Sequence, residues 1–170
     1  MSLYHLTVPQ FEKNLQNIER WIDKAVEHAK TKSFDANTLL TARLAPDMLP
    51  LVRQIQIVCD NAKMAPSRLT GKEAPAHPDN EKTFDELRTR GRAVLEYIRG
   101  YKPADFEGAE ARLVTLPWMP NKVLTGNDYV VDFALANFFF HYTTAYPILR
   151  HNGVDLGKAD FIGSLPFKDA

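Results

Sequence analysis

The sequence predicts an all-α fold, a four-helix bundle formed by a single domain over residues 1–170. Apolar residues recur at three- and four-residue steps in four separate segments, which is the period of a helix with one buried face. Residues that favour helix ends flank these segments. The chain of 170 residues has the usual length of one domain, and it contains no internal repeat and no linker.

The first helix is predicted over residues 8–30. Thr7 precedes the apolar pattern as an N-cap residue, and Pro9 stands in the first turn, where a missing N–H group costs little. The remaining positions are polar, so the helix is expected to bury one stripe and expose the other face. The residues of that stripe are Val8, Phe11, Leu15, Ile18, Ile22, Val26 and Ala29.

The second helix is predicted over residues 47–70. Asp47 suits a helix start because a carboxylate interacts favourably with the N-terminal end of the helix dipole. Pro50 then falls in the first turn, and Gly71 forms the C-cap. The inward stripe comprises Leu51, Ile55, Val58 and Ala62.

The last two helices are predicted over residues 83–100 and 128–152. Thr83 and Glu86 match the capping box, in which each side chain accepts a hydrogen bond from the backbone N–H of the other residue. The final segment is apolar on nearly every side and ends at a glycine, Gly153. It is therefore predicted to be the most buried helix.

Residues 103–126 are predicted to form a long irregular connection before the last helix. This stretch contains three prolines and lacks a helical period. The run from Arg112 to Leu116 leaves room for a short hairpin within it. After the last helix, Phe161 and Ile162 are expected to pack the C-terminal tail against the bundle.

Composition and charge narrow the classes of function. Lys and Arg total 21 and Asp and Glu total 21, so the formal net charge is zero, which argues against binding to nucleic acid or to an anionic membrane. Cys59 is the only cysteine, so an internal disulfide is excluded and a reducing compartment is indicated. Residues 129–149 are apolar but carry too many polar groups for a lipid-facing span. The first residues show no signal-peptide pattern.

We therefore expect a cytoplasmic protein whose partner is a small molecule or another protein. Apolar residues outside the assigned stripes favour a homodimer. Three histidines, His5, His28 and His77, have no partner at ligand spacing and are predicted to lie at the surface. Cys59, inside a predicted helix, is expected to be an inert buried thiol.

The polar residues of the last predicted helix form the best candidate site in the sequence. Asn137 and His141 are four residues apart and share one helix face, among phenylalanines. Gln54 borders the inward stripe of the second helix, from which it can reach these two residues. Contact between them is expected because a buried polar group without a partner costs about 1–3 kcal/mol. Asp47 and Tyr146 are further candidates for the same cavity. The competing interpretation gives all five a structural role, as ties between helices, a helix start or a core aromatic.

Five passages of the chain are shared with a known group of proteins. They are Leu44-Ala45-Pro46-Asp47-Met48, Asn137-Phe138-Phe139-Phe140-His141, Thr143-Thr144-Ala145-Tyr146, Leu149-Arg150-His151-Asn152-Gly153-Val154 and Gly157-Lys158-Ala159-Asp160-Phe161. On these passages the whole chain resembles the DinB/YfiT-like superfamily of metal-dependent helical-bundle proteins, and specifically an uncharacterised family within it. The likeness to the superfamily as a whole rests on helix order and on the position of His141.

The resemblance implies a metal site that this sequence only partly retains. Members of the superfamily typically bind a divalent metal through three histidines, one on the second helix and an H-x-x-x-H pair on the fourth. By that resemblance Gln54, Asn137 and His141 occupy the three positions. Amide oxygens are poor ligands for zinc or nickel, and one imidazole rarely holds such a metal alone. We expect no tightly bound metal or other cofactor. The sequence leaves open whether the site holds a divalent metal weakly.

Two functions from different classes remain open at this level. In the first, the chain binds a small polar ligand in a bundle cavity around His141. The resemblance extends to thiol-dependent transferases and hydrolases without selecting a substrate, and no catalytic residue is assigned. In the second, the metal site has decayed and the chain is a non-catalytic dimerisation or interaction module. An open pocket at His141 would favour the first function, and a filled core would favour the second.

Overall fold

The computed structural model describes residues 2–168, and the chain there is mostly helical. In chain order the α-helices are α1 (Leu3–Thr31), α2 (Leu51–Thr70), α3 (Phe84–Arg99), α4 (Gly126–Asp128), α5 (Leu135–His151) and α6 (Lys158–Ile162). A π-helix (Tyr129–Ala134) joins α4 to α5 without a break. Short 3₁₀ helices cover Ala36–Thr41 and Pro103–Phe106. The long helix α2 packs against α1, α3 and α5, and one hydrophobic core lies between these four helices.

The first helix, α1, starts earlier than predicted. It begins at Leu3 after the N-cap residue Ser2, and not near Thr7. The buried Thr7 hydroxyl donates to the carbonyl of Leu3 at 2.7 Å, one turn back inside the helix. A threonine can satisfy its hydroxyl in this way, so its presence alone does not mark a helix start. The predicted stripe is buried except for Val26, which is 39% exposed.

The central helix, α2, starts later than predicted. It begins at Leu51, and Asp47 lies in an exposed turn before it. Pro50 has an extended backbone and serves as the N-cap residue. Since a proline disfavours the helical conformation of the residue before it, the helix cannot easily extend upstream of Pro50. The predicted C-cap is confirmed, because Gly71 adopts the left-handed conformation with φ of 77°.

The predicted start of α3 is also confirmed. Thr83 Oγ1 accepts a hydrogen bond from the backbone N–H of Glu86 at 3.2 Å. The Glu86 carboxylate accepts one from the backbone N–H of Thr83 at 3.0 Å. Both halves of the capping box are therefore formed.

A small sheet lies outside the all-α class but forms where the sequence left room for a short hairpin. β1 (Leu113–Leu116) and β2 (Met119–Thr125) pair antiparallel within the segment predicted to be a long connection. An isolated two-stranded hairpin is marginally stable in water. Alternate residues of β1, Val114 and Leu116, are buried against the helices and hold the hairpin in place.

The last long helical segment runs over residues 126–151, two residues ahead of the predicted start. Gly126 is required there, because a Cβ at this position would lie 1.9 Å from the carbonyl oxygen of Ala109. The π-helix in this segment was not predicted, and such wide turns occur often at functional sites. Among the residues that the structure describes, no helix is both long and apolar enough to cross a membrane.

The C-terminal helix α6 returns to the bundle, as predicted for Phe161. The Phe161 ring lies 4.8 Å from that of Tyr142, measured between centroids, and its carbonyl accepts a hydrogen bond from the Tyr142 hydroxyl at 2.8 Å. The indole N–H of Trp21 donates to the carbonyl of Asp160 at 3.0 Å. These contacts join α6 to α1 and α5. Ile162 is partly buried.

The connection between α2 and α3 is anchored by a buried arginine. The Arg90 side chain is 1% exposed and pairs with Asp60 at 2.7 Å, Asp79 at 2.8 Å and Glu81 at 3.0 Å. Lys63 pairs with the same oxygen of Asp60 at 2.9 Å. A buried guanidinium is costly unless it is paired and hydrogen-bonded, so these carboxylates keep Arg90 compatible with the core.

The Glu81→Gln variant should be less stable than the wild type at neutral pH, by about 1–3 kcal/mol in free energy of unfolding. Burial raises the pKa of Glu81, but hydrogen bonds from its own backbone, Arg90 and Gln56 outweigh burial and hold the pKa below its ordinary 4.5. Because the pKa is lowered in the folded state, the stabilisation is present above 4.5 and is lost as the pH falls towards the folded pKa. Urea unfolding of both proteins from neutral to acidic pH should show the difference in free energy of unfolding at neutral pH and its disappearance in acid.

Glu96→Gln is the matched control, since Glu96 is exposed on α3 and forms no ion pair with any described residue. It should unfold like the wild type. Equal stability of Glu81→Gln and Glu96→Gln would contradict the role assigned to the Arg90 network.

Candidate functional site

Gln54 and His141 meet at the seam between α2 and α5. Gln54 is 1% exposed and His141 is 9% exposed. His141 Nδ1 lies 2.7 Å from Gln54 Oε1. Gln54 Nε2 donates to the carbonyl of Leu49 at 2.9 Å, so the oxygen end of the amide faces the imidazole. An amide oxygen only accepts, which assigns the proton to Nδ1 and leaves Nε2 of His141 as an acceptor.

The surroundings of His141 favour a neutral imidazole. Burial lowers its pKa below the ordinary 6.5, so the ring is uncharged at neutral pH. The Phe140 ring stands edge-on to the imidazole with centroids 5.1 Å apart, and Phe140 is 57% exposed. Leu49, whose carbonyl holds Gln54, is also exposed. A fixed, neutral imidazole thus lies next to an aromatic ring, that of Phe140, which contacts solvent.

Asn137 bonds to a different residue of α2. Its Nδ2 donates to Oδ1 of Asn61 at 2.9 Å, and Asn61 Nδ2 donates to the carbonyl of Ile57 at 3.0 Å. The two amides form a second polar tie across the same seam. The structure therefore brings Gln54 and His141 together and places Asn137 against Asn61.

Asp47 and Tyr146 lie apart from this pair. Asp47 is exposed in the turn before α2. The Tyr146 hydroxyl donates to the carbonyl of Leu156 at 3.1 Å, and its ring packs edge-on against Trp21. Within residues 2–168, neither side chain forms a hydrogen bond with His141.

Asn61 is the residue of this seam that the sequence analysis missed. A signal was present, because Asn61 follows Gln54 by seven residues, and residues two turns apart lie on nearly the same helix face. Gln54 with His141 and Asn61 with Asn137 thus form two polar contacts, here called rungs, along the seam between α2 and α5.

A histidine and a cysteine of chemical interest lie outside this seam. His77, predicted at the surface, is half-buried, and its Nδ1 accepts a hydrogen bond from the buried Lys63 at 2.9 Å. Burial and the Lys63 charge lower the pKa of His77. The prediction of an inert thiol is consistent with Cys59, whose pKa burial raises to about 12.

The side chains at the three superfamily positions do not fit a zinc or nickel ion. The oxygen of Gln54 and Nδ1 of His141 are already bonded to each other. Asn137 contributes only an amide, which is a poor ligand for these metals. Across residues 2–168, no group of three or more His, Cys, Asp or Glu side chains is placed to hold a metal ion. One free imidazole nitrogen does not retain a metal of this kind.

Comparison with known proteins gives a family and a solved relative. The family described as Domain of unknown function (DUF1993) matches residues 3–162. The crystal structure of a DinB family member protein from Shewanella denitrificans is 46% identical to this chain, with a TM-score of 0.95. The match covers 99% of this chain and 96% of that one. Comparison with curated proteins finds no match.

Converting Gln54 and Asn137 to histidine should create a zinc affinity that the parent lacks. The Gln54→His change places an imidazole beside His141, and position 137 lies one turn before it on the same helix. Three imidazoles form the usual zinc set, with water as the fourth ligand. Calorimetric titration with zinc compares the parent with the double variant.

The single variant Gln54→His is the control, because two imidazoles should bind zinc far more weakly than three. Tight zinc binding by the parent would contradict the assignment of Gln54 and Asn137 as non-ligands. A folded double variant without zinc affinity would show that the three positions are too far apart.

Proposed function

The chain belongs to the DUF1993 family, and from this premise we propose that it is a DinB-like four-helix bundle that binds a small polar ligand at His141. The observation that carries the proposal is the 2.7 Å contact between His141 Nδ1 and Gln54 Oε1. It fixes the tautomer and directs the remaining lone pair of the ring to Nε2. No described residue occupies Nε2, so this atom is free to accept a hydrogen bond from a ligand.

The chemistry of the site defines what the ligand would carry. A hydroxyl, thiol or amide N–H can donate to the neutral Nε2. An apolar part of the same molecule can contact the Phe140 ring, which is exposed beside the imidazole. A neutral imidazole with a fixed tautomer is also suited to accept a proton from such a donor, which is the step a general base performs.

A direct test uses the ring signals of His141 in nuclear magnetic resonance. The wild type should show the Nδ1–H tautomer and a pKa below 6.5, as expected from burial. Fragments bearing hydroxyl, thiol or amide groups, such as benzyl alcohol and benzyl mercaptan, should shift the His141 signals in a saturable way. The Gln54→Leu variant removes the acceptor at Nδ1 and should populate the other tautomer.

His77 supplies the internal control for these titrations, because its ring bonds to Lys63 and should not respond to the fragments. Equal shifts of His77 and His141 would indicate a nonspecific effect. If His141 responds to none of the fragments in a folded protein, ligand binding at this residue is refuted.

The second candidate function is a non-catalytic homodimer or interaction module. It is favoured by apolar side chains on the outer surface of the last helical segment, where Val131 is 54% and Phe140 is 57% exposed. Burial of apolar side chains of this size against a partner would be favourable. In this alternative Gln54 and His141 only tie helices together. For both candidate functions we propose a cytoplasmic location, since the chain has a single cysteine, Cys59, which is free and buried.

Light scattering tests the second candidate. A homodimer should give twice the monomer mass, and the change of Phe140→Ser together with Val131→Ser should shift it towards the monomer, because burial of these side chains would stabilise the contact. The monomer mass at every accessible concentration of the wild type would remove the homodimer.

A further inference from the structure

An open groove of about 170 Å³ lies beside the Asn61–Asn137 pair, one turn before His141 along α5. Residues of α2 form one wall, and Phe133 of the π-helix and Trp118 of the hairpin turn form the other. A cavity of about 150 Å³ admits a benzene ring, so this volume suits a molecule built on one ring.

The aromatic wall consists of packed rings and leaves one indole accessible. Trp118 is 60% exposed, and its ring lies 5.3 Å from that of Phe133, measured between centroids. Phe133 in turn stacks on Tyr129, which is buried. The wall therefore offers an exposed indole, supported from beneath by two further rings, for contact with a planar group.

Arg68 supplies a positive charge that pairs with no carboxylate of residues 2–168. Its guanidinium lies over the Tyr129 ring at 5.7 Å and donates to the Tyr129 hydroxyl at 3.1 Å. Burial raises the pKa of Tyr129, so this partner is a neutral phenol. Among the described residues Arg68 has no ion pair. Its remaining N–H groups form a planar fork, which matches the geometry of a carboxylate.

The one acidic group of the groove, Asp60, does not cancel that charge. Its carboxylate already pairs with Arg90 at 2.7 Å and with Lys63 at 2.9 Å. The groove thus attracts an anion more strongly than a cation. The Asn137 amide oxygen accepts no hydrogen bond from a described residue and is available to a polar substituent.

We propose that this groove binds a small aromatic carboxylate, with the carboxylate on Arg68 and the ring against Trp118 and Phe133. The proposal does not depend on His141, because neither His141 nor Gln54 lines the groove. It therefore assigns a binding site separate from the proposed ligand contact of the imidazole.

Sodium benzoate, added against matched sodium chloride, is the probe. The chain has two tryptophans, so the indole N–H signals in a nitrogen-15 spectrum separate Trp118 from the buried Trp21, which bonds to Asp160. Benzoate should shift the Trp118 signal in a saturable way and leave the Trp21 signal in place. Benzylamine, which has the same ring and the opposite charge, should shift neither.

Arg68→Gln should weaken benzoate binding about tenfold, because it removes the charged partner of the carboxylate. Arg99→Gln is the matched control, since Arg99 lies on α3 and pairs with Glu12. It should leave benzoate binding unchanged.

The proposal is overturned if benzoate leaves the Trp118 signal unmoved, or if benzylamine shifts it as much as benzoate. It is overturned equally if Arg68→Gln, with its Trp21 signal showing a native fold, binds benzoate like the wild type. Should Arg68→Gln not fold, Trp118→Leu at the exposed hairpin turn decides. Calorimetry with benzoate should then show about tenfold weaker binding, and unchanged affinity would refute the site.

Discussion

The polar side chains of α2 must be paired, because α1, α3 and α5 cover this helix at the same time. An unpaired buried donor or acceptor costs about 1–3 kcal/mol, a large share of the stability of one domain. Gln54 forms a hydrogen bond with His141, and Asn61 forms one with Asn137. His141 and Asn137 are four residues apart on the same helix. Lys63 donates a hydrogen bond to His77 in the connection between α2 and α3. The two amide contacts together define one register of α5 on α2, since a shift of α5 would leave both rungs unpaired.

The helices were predictable wherever local rules decide their position. Periodicity located all four long helices, and the capping pair of Thr83 and the C-cap glycine Gly71 located two of their ends. The start of α1 was predicted too late for a local reason, because Thr7 satisfies its hydroxyl inside the helix and is not the N-cap residue. Tertiary contacts decide the hairpin. The run up to Leu116 left room for it, and the burial of Val114 and Leu116 against the helices holds it in place.

The candidate site was predictable only in part, for a related reason. Helix geometry allowed Gln54 and His141 to face each other, and the structure brings them together. The same geometry could not choose between Gln54 and Asn61 as the partner of Asn137, because both lie on the same face of α2. The Arg90 network was beyond prediction, since its carboxylates come from two separate parts of the chain.

Amides at two of the three superfamily positions change what the seam can do. Three imidazoles at these positions would be fixed by coordination to a metal ion. Here each polar side chain is instead fixed by a hydrogen bond to a partner on the facing helix. One rung, Gln54 with His141, is nearly buried and exposes only the imidazole edge. The other rung, Asn61 with Asn137, borders an open groove lined by Arg68, whose guanidinium forms no ion pair with any described residue. The hydrogen bonds of both rungs link α5 to α2 in one register, and the remaining polar atoms of the rungs are those that the two proposals assign to organic ligands.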